Sequence, residues 1–369
     1  MNILHCICSL NTGGAEKLLI DIANNMKLSK SDNLHICITN SSYEDELLKQ
    51  INKDIKIDFL NRKEGSKSIK YILIFIDLIK KNKIDIIHCH NRGSYKFALL
   101  AKILTGFKVK IVYTIHDTNV YNKVSRKNAF IDKFLVDKFI AISDSVNKDI
   151  LSRNINKEKV ELIYNGIDIS KFNKGKAKNF NENNIVIGCV SRLVPEKKGQ
   201  DILIKAVNII KEKYPYVKCI FAGAVLEVNG KEDLNTLKLL EKQVESLNLK
   251  DNIEFIGNVK NVSEFLEGID IFVLPSRVEG FGLVILEAMA SRKPVIASDI
   301  DGPREIIGEE YGLLFEKENY EELSEKIIYA IENYTSFNTE KNYKYVEKNF
   351  SIDSICNLYY SLYSSILYW

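Results

Sequence analysis

Two glutamates eight positions apart, Glu279 and Glu287, bracket the segment Glu279-Gly280-Phe281-Gly282-Leu283. Glycines at 280 and 282 let a ligand approach the backbone, and a helix opening near Leu283 and Val284 aims N–H groups at an anion. Glu287 falls about one turn into that helix, where a carboxylate can accept hydrogen bonds from a ribose diol. Packing alone gives no reason for two carboxylates around a glycine-rich helix start. A second cluster, Ser191-Arg192-Leu193-Val194-Pro195-Glu196-Lys197-Lys198-Gly199, sits where a strand ends and a helix opens. Basic side chains there can neutralise a diphosphate leaving group; by themselves they also read as a solvated charge run. A third segment, Asn11-Thr12-Gly13-Gly14-Ala15-Glu16, joins the first strand to the first helix. Its paired glycines suit a phosphate, but it matches neither G-x-G-x-x-G nor the P-loop. A plain strand–turn–helix connection explains it equally well.

His88, Cys89 and His90 invite a metal reading, because residues i and i+2 of a strand share a face. No carboxylate or further histidine completes the set nearby, so no metal is expected. His90 and Asn91 are read as facing the ligand cleft from a strand end, and His5 and His35 as satisfied core histidines. The seven cysteines (6, 8, 37, 89, 189, 219 and 356) are scattered through apolar runs. That is the pattern of reduced thiols packed as small hydrophobes, and Cys6 and Cys8 lack C-x-x-C spacing.

The elements that must position these residues alternate almost from end to end. Strands are predicted at 1–9, 34–39, 84–88, 109–114 and 138–142, with helices at 15–26 and 69–80. After a polar stretch the alternation resumes: strands 185–191, 217–222, 253–256, 271–274 and 294–297, helical runs 200–212, 234–247, 262–267, 283–290 and 320–333. Continuous Ile/Val/Leu strands joined by helical crossovers predict parallel sheets. The fold class is therefore α/β, two Rossmann-like domains facing a central cleft, with ligands beyond the carboxyl ends of the strands. The expected division is a domain over 1–172, a linker over 173–184, a domain over 185–345 and a C-terminal helix over 346–369, able to cross back to the first domain. Its aromatic residues (Tyr359, Tyr360, Tyr363, Tyr368, Trp369) either pack on a domain or meet a membrane interface.

With 369 residues, 46% hydrophobic and 27% charged, the chain has the composition of a soluble globular protein. Its strongest apolar run, 71–79, is broken by Asp77 and too short to span a bilayer. The N-terminus lacks a basic n-region and a small-residue cleavage site, so no signal peptide is expected. Net charge is +3, split unevenly: residues 1–172 hold 28 Lys+Arg against 19 Asp+Glu, and the remainder 24 against 30. A basic front half suits an anionic partner. Lys63, Lys67, Lys70, Lys80, Lys81 and Lys83 surround the helical run 69–79, which can lie on an anionic membrane surface. Alternatively Ile72, Phe75, Ile76 and Ile79 cover the first sheet and the lysines are solvated.

The stretch E-G-F-G-L-V-I-L-E at 279–287 resembles the E-x7-E signature of retaining glycosyltransferases of the GT-B fold, family 4 (the group 1 glycosyl transferases). NTGGAE, HCHN, YTIHD, AISDSV, IYNGID, SRLVPEKKG, EFIG and SDIDGPREII extend the likeness along nearly the whole chain. The resemblance implies a catalytic set of Arg192, Lys198, Glu279 and His116. Arg192 and Lys198 would bind the diphosphate (Lys197 if the loop is shifted by one), Glu279 the sugar hydroxyls, and His116 the transferred sugar near its reacting carbon. It implies donor binding by Gly13, Gly14, Glu287, Phe281, Gly282, Leu283, Asn165, Ile256 and Gly257, and an acceptor side at His90 and Asn91. Two positions depart from the pattern: the run Phe221–Glu227 keeps only Gly223 of a glycine-rich turn, and Asp301 precedes Gly302 where glycine is frequent; Pro303–Ile306 is read as structural.

The implied reaction moves a sugar from a nucleotide-diphosphate sugar to a glycan or lipid-phosphate-linked acceptor, in bacterial surface polysaccharide synthesis (lipopolysaccharide O-antigen or capsule). It needs no cofactor or metal and no nucleic acid, at a cytoplasmic location, with the membrane surface as a further partner. The expected course is same-face displacement; a covalent intermediate on Glu279 is the variant. Rival readings are a GT-B fold epimerase or hydrolase, and a non-enzymatic binder of anionic surfaces. Glu279 and Glu287 beside the basic cluster argue against the binder.

Overall fold

A computed structural model describes residues 1–369 apart from 12, 119, 173–179, 226, 229–230, 233 and 368–369. Thr12 of the first glycine turn, most of the 173–184 segment, Leu226, Tyr368 and Trp369 thus lie outside the described residues. The chain forms two compact units, Met1–Ile167 with Phe350–Trp369, and Asp168–Asn349.

The first unit is built on seven parallel strands: β1 (Asn2–Ile7), β2 (Asn33–Asn40), β3 (Lys56–Arg62), β4 (Ile86–Cys89), β5 (Lys110–Ile115), β6 (Lys138–Ala141) and β7 (Val160–Leu162). Their order is β3-β2-β1-β4-β5-β6-β7. The central strands are continuous apolar runs because helices cover both faces. The edges differ: β3 carries Lys56, Asp58 and Asn61, and β7 is three residues long, so neither shows the apolar run by which the others are found.

Helix Lys70–Lys81 buries Ile72, Phe75, Ile76, Leu78 and Ile79. The stripe considered for a membrane therefore covers the fold. A different set faces outward: Ile69, Leu73 and Ile74 are exposed. The neighbouring helix Arg92–Leu104 meets it through Phe97, whose ring lies 5.8 Å from Phe75, and exposes Leu100, Ile103 and Leu104. Helix Ile352–Leu367 packs onto the same unit, with Ile355, Cys356, Tyr359 and Tyr363 in one core with Ile3, Leu19 and Ile22. Its remaining described tyrosine, Tyr360, donates to Asp32 Oδ2 at 2.8 Å. Tyr359 and Tyr363 are core residues, not a membrane belt.

The second unit continues with β8 (Val186–Val190), β9 (Lys218–Ala222), the short antiparallel pair β10 (Glu227–Val228) and β11 (Lys231–Glu232), β12 (Ile253–Gly257), β13 (Ile271–Leu274), β14 (Val295–Ser298) and β15 (Leu313–Phe315). Its sheet runs β12-β9-β8-β13-β14-β15, all parallel. The chain winds outward from β8 in one direction and from β13 in the other. The gap between these two strands is the switch point at which open α/β sheets bind ligands.

Two glycines let the loops beyond that point converge. A Cβ on Gly199, whose φ is +67°, would lie 1.9 Å from the Pro275 carbonyl oxygen. A Cβ on Gly223 would lie 1.8 Å from the Ser191 carbonyl oxygen and 2.6 Å from its carbon. Backbone meets backbone in both places, so neither contact can be relieved by a rotamer change. Gly223→Ala should therefore push apart the loops after β8 and β9, destabilising the protein by about 1–3 kcal/mol. Thermal unfolding reads this directly, and a midpoint equal to that of the unsubstituted protein would refute the close approach.

Candidate active site

The basic loop after β8 and the glutamate loop after β13 come together at the switch point. Lys198 Nζ lies 2.6 Å from Glu279 Oε2, with the side chains 20% and 16% exposed. Lys197 is exposed and outside this pair, so it is Lys198 that the loop register brings to Glu279. Arg192 is also exposed, at the start of the same loop. Gly282 caps helix Leu283–Ala290 from a left-handed conformation (φ +99°, ψ 53°), and among the described residues no side chain caps the helix start. Phe281 is buried because Gly302 packs on its backbone: a Cβ there would fall 2.7 Å from Phe281 Cα. Pro303–Ile306, read as structural, lie in the same helix as Gly302, Asp301–Ile307, with Pro303 and Ile306 buried. Glu287 lies in the helix that Gly282 opens and is 4% exposed.

Side chains that the sequence reading did not single out hold these loops. Arg277 donates to both carboxylate oxygens of Asp201 at 2.6 and 2.9 Å, to both of Glu318 at 2.5 and 2.7 Å, and to the Pro195 carbonyl at 2.5 Å. Its own backbone N–H donates to the Lys197 carbonyl at 2.7 Å. The two carboxylates push the Arg277 pKa up, so the clamp is a permanent cation. Gln200, fully buried, donates to Ser191 Oγ and to the Arg192 carbonyl at 2.9 and 2.8 Å. The only signal in the sequence was an arginine beside the glutamate loop; nothing in it told a clamp from a ligand-binding cation.

In the first unit the strand period of two gathers four of the five histidines. His5 pairs with His88 across β1 and β4, His90 follows β4, and His116 follows β5. His5 Nδ1 is 2.9 Å from His90 Nε2, and His90 Nδ1 is 3.4 Å from His116 Nε2. His88 lies 2.6 Å from Tyr363 Oη and 2.7 Å from Thr114 Oγ1. Two sequence expectations need correction. Further histidines do stand beside His88 and His90, because β1 and β5 flank β4; ligand atoms of His5, His88 and His90 lie within 4.8 Å of one another. Both nitrogens of His88 are engaged at hydrogen-bond distances with Tyr363 and Thr114, which accounts for the cluster as a network. His90 does not face outward either; it is 2% exposed, one step behind the half-buried His116.

The remaining assignments scatter. Asn91 caps helix Arg92–Leu104, its Oδ1 accepting from Ser94 N at 3.0 Å. Asn165, in the first unit, is buried, and its Oδ1 has no hydrogen-bond partner among the described residues. Gly13 caps helix Gly14–Asn25 in extended backbone. Ile256 and Gly257 end β12, two strands from β8, with the Gly257 carbonyl accepting from Gly223 N at 2.7 Å. His35 is half-buried, and its Nδ1 has no partner among the described residues, so it is not the satisfied core histidine expected; it stands near the start of β2, opposite Lys56 of β3.

Residues 170–350 match the glycosyl transferases group 1 family and residues 12–171 match Glycosyltransferase Family 4. An uncharacterized glycosyltransferase of Methanocaldococcus jannaschii is 30% identical over 334 residues, 86% of this chain and 85% of its own. The chain belongs to the group 1, family 4 glycosyltransferases. The Staphylococcus aureus capsular polysaccharide biosynthesis glycosyltransferase CapH is 27% identical over 318 residues, 83% of each chain. The crystal structure of Anabaena HepE in complex with UDP shares the fold, with a TM-score of 0.83, 24% identity and coverage of 99% of this chain and 100% of that one. Two Rossmann-like units in one chain make this glycosyltransferase a GT-B protein.

Burial lowers the pKa of all four clustered histidines of the glycosyltransferase: His5 to about 3, His116 to about 4, and His88 and His90 well below the usual range, with repulsion among the rings adding to the last two. Unfolding exposes these rings and returns them to a pKa near 6.5. They then take up protons below pH 6.5 that the folded protein does not bind. Stability should be constant above about pH 7 and fall as the pH drops from 6.5 towards 4, by about 1.4 kcal/mol per pH unit for each ring. Denaturant unfolding at pH 4 to 8 measures this slope; a flat profile would mean that the rings take up protons as readily in the folded protein as in the unfolded one.

Proposed function

We propose that this glycosyltransferase moves a sugar from a nucleotide-diphosphate sugar to a glycan or lipid-phosphate-linked acceptor, with retention and without a metal. The observation that carries this reading is the Lys198–Glu279 pair at the switch point, beside the helix start at Gly282. An ammonium, an exposed guanidinium at Arg192 and an uncapped helix start suit a diphosphate; a carboxylate between them suits sugar hydroxyls. Lys198 has three donors, so it can keep Glu279 and still meet a phosphate oxygen. Glu287 binds the ribose, and His116 the transferred sugar. UDP in the Anabaena structure supports a nucleotide-linked donor, and the name of the S. aureus relative supports surface polysaccharide as the product.

In the mechanism that fits these groups, the bond between the sugar and the diphosphate lengthens first. Arg192, Lys198 and the helix start stabilise the charge that collects on the diphosphate. The acceptor oxygen then bonds to the anomeric carbon on the same face, and its proton passes to a diphosphate oxygen. Removing either cation should lower the rate by about 10²–10³-fold. Glu287→Ala should raise the donor's KM in a folded protein, in an assay that proceeds equally well in EDTA. Unchanged donor affinity would remove Glu287 from the site; activity lost to EDTA and restored by Mg²⁺ would remove the metal-free mechanism.

The protein works on the cytoplasmic face of a membrane, held there by the first unit. Among the described residues no helix is long and apolar enough to cross one. Support for attachment comes from the exposed Ile69, Leu73, Ile74, Leu100, Ile103, Leu104 and Phe107, amid the exposed Lys70, Lys80, Lys81 and Lys83. Isolated exposed leucines need no explanation, but a set of this size on two adjacent helices does. The protein should co-sediment with anionic vesicles at low salt and be released at high salt. Leu73→Glu, or Glu at Lys80, Lys81 and Lys83, should weaken binding; vesicle binding indifferent to both would exclude this face.

A further inference from the structure

Six side chains of the first unit stand in one line. His116 Nε2 lies 3.4 Å from His90 Nδ1, and His90 Nε2 lies 2.9 Å from His5 Nδ1. His5 Nε2 is 3.4 Å from Tyr363 Oη, which is 2.6 Å from His88 Nδ1; His88 Nε2 is 2.7 Å from Thr114 Oγ1. Five members are at most 2% exposed, and His116 alone of the six is half-buried. Strand alternation puts His88 and His90, and likewise Thr114 and His116, on one face, where helix Ile352–Leu367 lays Tyr363 across them.

Burial keeps the four rings neutral, so each of the six members carries one proton able to hydrogen-bond. Each of the five contacts needs one. Two neighbours aiming protons at the same contact would face donor to donor, with no hydrogen bond between them and buried groups left unpaired. All the protons therefore point the same way along the line. Thr114 sets the direction: its hydroxyl stands between His88 Nε2, at 2.7 Å, and the fully buried hydroxyl of Tyr359, whose proton has no other acceptor among the described residues, so Tyr359 faces Thr114 as the donor and Thr114 passes its own proton to His88. From there Thr114 donates to His88, His88 to Tyr363, Tyr363 to His5, His5 to His90, and His90 to His116 Nε2.

We infer that this line fixes the tautomer of His116, with Thr114, His88, Tyr363, His5 and His90 as positioning residues that hold its proton on Nδ1. His116 then meets the sugar as a hydrogen-bond donor and takes no proton from it. This consequence rests on the proposed role of His116 in sugar transfer; the tautomer does not. It agrees with a reaction in which a phosphate oxygen receives the acceptor's proton. The last helix of the chain thereby sets the chemistry of a ring at the end of β5.

Ring-nitrogen NMR of protein labelled in histidine tests the line without substrate. There are only five histidines, and His35, outside the line, serves as reference. In the unsubstituted protein His116 should be the Nδ1–H tautomer. Tyr363→Phe keeps the ring but removes the hydroxyl, and should turn His116 into a mixture of both tautomers. Thr114→Val, which removes the proton that orders the line, should do the same and serves if the first variant does not fold. A proton on Nε2 in the unsubstituted protein, or an unmoved Nδ1–H tautomer in a folded variant, would overturn the inference. Donor titration of the same sample keeps the two questions apart: the expected tautomer in a protein that binds no nucleotide sugar would refute the proposed function and leave the line intact.

Discussion

The Pro275 carbonyl occupies the space where a side chain on Gly199 would begin, and the Ser191 carbonyl does the same for Gly223. Three loops, from the ends of β8, β9 and β13, are thus packed backbone to backbone. This approach is what lets Lys198 reach Glu279, although they are 81 residues apart in the chain. Any larger residue at 199 would meet both the steric conflict and the strain of a left-handed backbone. The Lys198–Glu279 site therefore depends on atoms that are missing from two side chains as much as on the charges present.

Around that contact the two arginines have opposite tasks. Arg277 is saturated by two carboxylates and a carbonyl, and ties the loop after β13 to the loop and helix after β8. Arg192 is left exposed, its loop held from behind by Gln200. A cation already enclosed by carboxylates has little left to offer an anion, whereas one on a rigid loop is pre-organised for it. The Lys198–Glu279 pair lies between these extremes: close enough for each charge to hold the other, open enough for a ligand to join them.

The first unit solves a different problem. Four imidazoles in a sheet interior would be costly as cations, and burial keeps them neutral. Neutral rings can satisfy one another only if each proton has a place to go, and the tyrosine that completes the line comes from the far end of the chain. Helix Ile352–Leu367 is thus both a lid on the sheet and the supplier of a hydroxyl that His5 and His88 share.

The α/β alternation, the central strands and the E-x7-E segment were legible in the sequence because each is a local pattern: an apolar run, a helical period, or a fixed spacing along one turn. The edge strands β3 and β7 were not, since edges tolerate polar residues and need little length. Which of Lys197 and Lys198 turns inward depended on the loop's register against β13, set by contacts distant in sequence. Sequence neighbours alone show His88 and His90 without further histidines, whereas parallel pairing puts His5 beside His88 and the neighbouring strand brings His116 to His90. Arg277 could not be told from a ligand-binding arginine until Asp201 and Glu318 were seen to enclose it. Residue type and spacing along one element determine what chemistry is available; which groups spend their charge and protons on one another is decided only when the sheet brings distant strands side by side.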